Sequence, residues 1–175
     1  LTDQAFDSIS ALLESYYASK NTLTRIRQKS SDLRRIVQTA LERSRKKYDL
    51  QSRQLADTEK REKYQIWGEL IHTYGYGVPE GAKSMQALNY YTNEEVTIPL
   101  DPTLSAQENA KKYFDKYGKL KRTFEAVTTL LTETRAEVEH LESVQTALDM
   151  ALSEEDLVQI KEELVESGYI RRKGG

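Results

Sequence analysis

Residues 105–152, SAQENAKKYFDKYGKLKRTFEAVTTLLTETRAEVEHLESVQTALDMAL, decide the fold. Within them Tyr117, Leu120, Phe124, Val127, Leu131, Thr134, Val138, Leu141, Gln145, Leu148 and Leu152 recur at alternating steps of three and four. That is the spacing of a helix with one narrow apolar seam, and Val144 can replace Gln145 on it. The start is marked by Ser105 followed three residues later by Glu108, a capping box whose side chains satisfy orphan backbone donors, with Pro102 just upstream. A seam of this kind needs a partner, because a lone helix stripe leaves its apolar side chains in water.

The partner lies before it in the chain. From Leu23, the positions Ile26, Ser30, Leu33, Val37, Ala40 and Ser44 keep the same spacing; the seam then slips by one and continues through Tyr48, Leu55, Ile66 and Leu70, with charged Arg53, Lys60, Arg61 and Glu62 outside. The spacing predicts one helix over 23–74, about 75 Å long at 1.5 Å per residue. A second helix over 105–152 of nearly equal length makes antiparallel pairing the economical arrangement. Residues 75–104 hold most of the helix breakers, Gly75, Gly77, Pro79, Gly81, Pro99 and Pro102. There Ala87–Tyr91 and Val96–Leu100 read as a β-hairpin around a polar turn at 92–95. A lone hairpin is marginal. Tyr64, Trp67, Tyr74, Tyr113, Phe114 and Tyr117 from the helix ends, with Tyr90 and Tyr91 on the hairpin, are the expected core of this small module. At the opposite end, residues 1–22 present Phe6, Ile9, Leu12, Leu13 and Tyr16 as a short amphipathic helix. Residues 153–175 hold another, capped by Ser153 and stopped by Gly168, and the two are expected to pack together as a base. The predicted fold class is mainly α: a long antiparallel two-helix coiled coil with a small β-hairpin module at its distal end.

Composition agrees with an extended helical chain. Hydrophobic residues make up 38% and charged residues 31% of 175 residues, with a mean hydropathy of -0.71, too little apolar content for a large round core. No apolar run approaches the roughly 20 residues that span a bilayer, and no signal-peptide pattern opens the chain; a soluble cytoplasmic segment with no membrane partner is expected. Cysteine is absent, which removes disulfides and thiolate chemistry. The mid-sequence start at Leu1 and the close Arg171-Arg172-Lys173-Gly174-Gly175 suit a piece of a larger protein.

No catalytic constellation emerges, so no enzyme activity, cofactor or metal is expected. Glu69 and His72 lie three apart on one helical face, but with no second such pair an ordinary helix-end contact is the better reading, and His140 is remote. Tyr74-Gly75-Tyr76-Gly77 lacks phosphate-loop spacing and reads as a turn. Charge is more telling. With Tyr74 set opposite Ser105, Arg25, Arg27, Lys29, Arg34 and Arg35 fall beside Glu133, Glu137, Glu139 and Glu142 and neutralise one another. The distal half stays basic: Lys60, Arg61 and Lys63 face Lys111, Lys112, Lys116, Lys119, Lys121 and Arg122, with Lys83 in the module. A solvated helix face is the plain reading of such a run. The functional one is a phosphate-binding patch.

Five blocks in order then carry a resemblance: Gly68-Glu69-Leu70-Ile71, Asn89-Tyr90-Tyr91, Ile98-Pro99-Leu100-Asp101-Pro102, Glu108-Asn109-Ala110-Lys111-Lys112-Tyr113-Phe114 and Tyr117-Gly118-Lys119-Leu120-Lys121. With Leu141-Glu142-Ser143-Val144 and Ile160-Lys161-Glu162-Glu163-Leu164 they closely resemble the NFACT family over nearly the whole chain. Bacterial members of this family are called RqcH or fibronectin/fibrinogen-binding protein, and eukaryotic relatives are known. The resemblance implies the family's middle part, a coiled coil with its M module. It also implies partners: the large ribosomal subunit, through ribosomal RNA and stalk-base proteins, and tRNA through other domains. In the full protein the implied task is alanine tailing of stalled peptides. The family's other name implies fibronectin or fibrinogen as partners of a cell-surface adhesin, for which no export signal or wall anchor is visible. A dimerising spacer, with polar seam positions at Ser30, Ser44 and Thr134, is a third, purely structural class.

Overall fold

A computed structural model describes residues 2–171. In chain order the elements are α1 (Asp3–Asp57), a 3-10 turn at Thr58–Lys60, α2 (Arg61–Tyr74), a second 3-10 turn at Gly75–Gly77, β1 (Ser84–Asn89), β2 (Glu94–Pro99), α3 (Ala106–Met150) and α4 (Glu154–Glu166). The fold is mainly helical, with a long helix pair and one two-stranded antiparallel sheet. It divides into two compact units, residues 1–47 with 134–175 and residues 48–133.

The first unit is a three-helix packing of α1, α3 and α4 around Leu33, Val37, Leu41, Leu141, Val144, Leu148, Leu157, Ile160 and Leu164. Leu41, not Ala40, is the buried residue on α1, and Val144 takes the inward place over Gln145. Ser44 fills a seam position and donates to Glu137 Oε1 at 2.7 Å, so its hydroxyl is satisfied inside the contact. Ion pairs mark the antiparallel register: Arg34 with Asp149, Arg45 with Glu142 at 3.1 Å, Lys47 with Glu137 at 3.0 Å. Arg25 and Lys29 lie 3.8 and 3.9 Å from Glu154 on α4. The expected facing of Arg25–Arg35 with Glu133–Glu142 is therefore corrected. Arg34 meets Asp149, about two helical turns beyond Glu142, because the register that buries Leu33, Val37 and Leu41 against Leu141, Val144 and Leu148 outranks exposed charge pairing, each pair of which contributes only about 0–1 kcal/mol.

Both ends of the expected layout also change. Helix α1 begins at Asp3 without a break near Leu23, since no glycine or proline interrupts 3–57. Its first residues do not pack against α4, which returns along the Ile26–Leu41 stretch instead. Leu152 is exposed in the link between α3 and α4. The stop of α4 follows the expected chemistry. Ser153 Oγ accepts from the Asp156 N–H while Asp156 reaches back, and Gly168 at φ +85° closes the helix, with Tyr169 N–H donating to Leu164 C=O at 2.9 Å and Gly168 N–H to Val165 C=O at 3.1 Å.

In the second unit the expected slip of the seam does not occur. Gln51 and Thr58 are buried at the next positions after Ser44 and Tyr48, so the three-four rhythm runs on through polar side chains. Thr58 Oγ1 donates to Leu55 C=O at 2.6 Å where the helix tightens, and Arg61 donates to Thr58 C=O at 3.0 Å. The hairpin pairs Ser84 with Pro99 through Asn89 with Glu94. It is shifted from expectation: the turn is 90–93, held by Asn93 N–H on Asn89 C=O at 2.7 Å and by Asn93 at φ 60°. Met85, Ala87 and Ile98 face Leu70, Ile71, Leu100, Ala110 and Tyr113, with Tyr64, Trp67 and Phe114 partly buried around them. Tyr90 and Tyr91 are not core. Lying in the turn they miss the inward alternation of the strand and are 52% and 66% exposed, and Tyr74 is also exposed.

Candidate nucleic-acid interface

Between Ala106 and Arg122, α3 carries six basic residues and two acids. Helical spacing gathers four of the basic ones. Lys111, Lys112, Lys116 and Lys119, with Leu104, Glu108 and Asp115, line a shallow groove of about 500 Å³. The start of α3 is braced by buried Asn109. Its Oδ1 accepts from Asp101 N–H at 2.8 Å, and its Nδ2 donates to the carbonyls of Asp101 and Ser105 at 3.2 and 3.0 Å. Ser105 Oγ accepts from Glu108 N–H at 3.1 Å, the serine half of the expected capping box.

The basic side chains fall into two kinds. Some are held on rings. Lys63 Nζ lies 5.1 Å from the Tyr64 centroid and 4.9 Å from that of Trp67; Lys116 Nζ lies 5.3 Å from Tyr64 and 5.7 Å from Tyr113. Tyr64 stacks on Tyr113 at 5.8 Å, and Trp67 meets Tyr113 edge-on at 5.2 Å. Cation–π contact attracts an ammonium group to a ring face without neutralising its charge, so it remains able to meet an anion. Arg61 is spent internally, its guanidinium 4.0 Å over Phe124. Lys112 lies 3.9 Å from Asp101, whose carboxyl the Thr103 hydrogen bonds, and then Lys112 itself, hold below its ordinary value. The second kind is exposed and makes no ion pair among the described residues: Lys60, Lys83, Lys111, Lys119 and Lys121. Arg122 is exposed on the flank, its guanidinium near Gly118, and Lys83 lies outside the groove before β1.

Of the expected module core, Tyr64, Trp67, Tyr113 and Phe114 come together, and the Tyr113 hydroxyl donates to Pro99 C=O, tying α3 to the hairpin. Burial, then the nearby Tyr64, pushes the Tyr113 phenol up. Tyr90 and Tyr91 form a separate surface pair, ring centroids 4.8 Å apart, both hydroxyls on Glu69 Oε2 at 3.4 and 3.3 Å. The roles of Glu69 as their anchor and of Asn109 as the loop lock were not read from the sequence, where Glu69 was weighed only beside His72, since neither role carries a periodic signal. His72 stacks on Phe114 at 5.4 Å, and His140 Nδ1 lies 3.7 Å from Glu163. Among the described residues no group of three His, Cys, Asp or Glu is placed to hold a metal, and no helix is long and apolar enough to cross a membrane.

The family model described as NFACT N-terminal and middle domains matches residues 1–175. The chain belongs to the NFACT family. Among similar proteins, the Rqc2 homolog RqcH of Streptococcus suis is 42% identical over 168 residues, covering 96% of this chain and 30% of that protein. The Rqc2 homolog RqcH of Bacillus subtilis is 34% identical over 170 residues, again 96% of this chain and 30% of the relative. The NFACT chain thus spans about 30% of the length of the curated relatives it matches. A solved structure of the C-terminal part of the fibronectin/fibrinogen-binding protein from Streptococcus suis is similar with a TM-score of 0.57 and 32% identity, over 85% of this chain and 46% of that one.

Proposed function

We propose that residues 1–175 are the ribosome-binding segment of an RqcH-type quality-control factor, a binding arm and not a catalyst. The full protein would act in the cytoplasm on stalled large subunits and support alanine tailing, with tRNA handled by its other domains. The observation that carries this reading is the lysine groove at the start of α3, with Lys63 and Lys116 ordered on the Tyr64–Trp67–Tyr113 rings. Such a face suits the sugar-phosphate backbone of ribosomal RNA, for which charge matters and base identity matters little.

The test is co-sedimentation of the full-length protein with large ribosomal subunits across a salt series. K111E/K112E/K116E is expected to weaken binding and to flatten the log–log salt slope by about 1 per lysine that contacts a phosphate. R27E/R43E/K46E, at exposed positions of the first unit, is the matched control and is expected to leave the slope unchanged. Equal loss from both sets would show general charge attraction and end the assignment. The second reading rests on the name of the similar Streptococcus suis structure. Saturable binding to immobilised fibronectin or fibrinogen, with subunit sedimentation untouched by the triple reversal, would favour that reading.

A further inference from the structure

Helix α1 opens with an apolar stripe that no described residue covers. Phe6 is 64% exposed, Ile9 48%, Leu13 51%, Tyr16 61% and Leu23 54%; they follow the three-four rhythm, interrupted once at Lys20, while Leu12 and Tyr17 widen the band. The seam that packs in the first unit begins only at Ile26, and α4 reaches back along α1 no further than the Glu154 contacts with Arg25 and Lys29. A contiguous exposed band of this kind, rich in aromatic and branched apolar residues, is an interface signature and not a solvated helix face.

We propose that this stripe is the docking seam for the N-terminal domain of the full-length protein, outside residues 1–175. Two observations favour that occupant, and a third describes the surface it must present. Relatives at 34–42% identity are matched over only about 30% of their length, so most of an NFACT protein lies outside this chain, and the similar solved structure is the C-terminal part of its protein, which sets an N-terminal part ahead of the matched region. The stripe starts within a few residues of Asp3, the first helical residue, so a covalently linked domain meets it at an effective concentration on the order of millimolar, which a second copy does not reach in dilute solution. The edges of the stripe are acidic, with Asp3, Asp7 and Glu14 against a single base, Lys20, between residues 1 and 22. The complementary surface is therefore an apolar groove with a basic rim.

Hydrogen exchange of residues 5–20 in the full-length protein, compared with residues 1–175 alone, tests this without any substitution. Exchange in the full-length protein is expected to be slower on the order of 100-fold. L13E/Y16E should return it to the rate of the shorter chain while leaving Leu33–Leu41 protected. Three results overturn the proposal: equal exchange in the two proteins; protection that disappears on dilution together with a dimer; or protection that survives deletion of the N-terminal domain, which assigns the seam to another segment.

Discussion

At the scale of single residues, helix glycines separate packing from propensity. A Cβ at Gly68 would sit 2.8 Å from Phe114 Cζ and 2.9 Å from Cε2, while His72, one turn on, stacks against the same ring. G68A is expected to destabilise by about 1–2 kcal/mol, the overpacking cost exceeding the roughly 1 kcal/mol that alanine gains in helix propensity. F114L on that background should recover most of the loss in chemical denaturation. At Gly118 the nearest neighbour of a Cβ is Arg122 Nη1 at 3.5 Å, an ordinary contact, so G118A should stabilise by up to about 1 kcal/mol. Matching losses from both substitutions would mean that Phe114 does not set the fit at Gly68.

At the scale of elements, α4 is secured by its C-terminal turn and by Glu137. Gly168 sits at φ +85°, where a Cβ costs about 1–2 kcal/mol, so G168A should loosen α4 and Tyr169 by that amount. Glu137 joins three elements. Burial pushes its carboxyl up, but hydrogen bonds from Ser44, Lys47 and Tyr169 outweigh it and hold the group below its ordinary 4.5. A carboxylate lowered in the folded state stabilises above its unfolded value, and that contribution is lost as pH falls through the folded one. Stability of the first unit should thus decline below about pH 4.5, and E137Q should flatten this decline, by no more than about 1 kcal/mol because the side chain is partly solvated. Denaturant midpoints from neutral to acid pH check it; parallel curves for wild type and E137Q would remove Glu137 from the account.

For the whole molecule, two separate apolar clusters imply two units of local stability. L141A should cost about 2–5 kcal/mol and speed exchange chiefly in residues 26–47 and 134–166; I98A should do the same chiefly in 58–120. Uniform loss of protection from either one would show a single cooperative unit.

Helicity and the seam of α3 were legible in the sequence because apolar residues at Val127, Leu141 and Leu148 recur in a stretch, 119–150, without glycine or proline, and the geometry of a helix turns that period into a face. The family could be read from ordered blocks, and the basic character of the distal half from charge alone. Gln51 and Thr58 hid the continuing seam, since a polar side chain signals burial only when its hydrogen-bond partner is known. Tyr90 and Tyr91 looked like strand residues; a shift in the hairpin turn, set by Asn89 and Asn93, put them outside. The pairing register of α1 with α3 was likewise decided only in three dimensions, where the fit of Leu33, Val37 and Leu41 against Leu141, Val144 and Leu148 contributes far more than the charge pairs that the sequence invited one to match. Period along one helix is a local property of the chain, whereas which face meets which, and at what offset, depends on side chains far apart in sequence that meet only after folding.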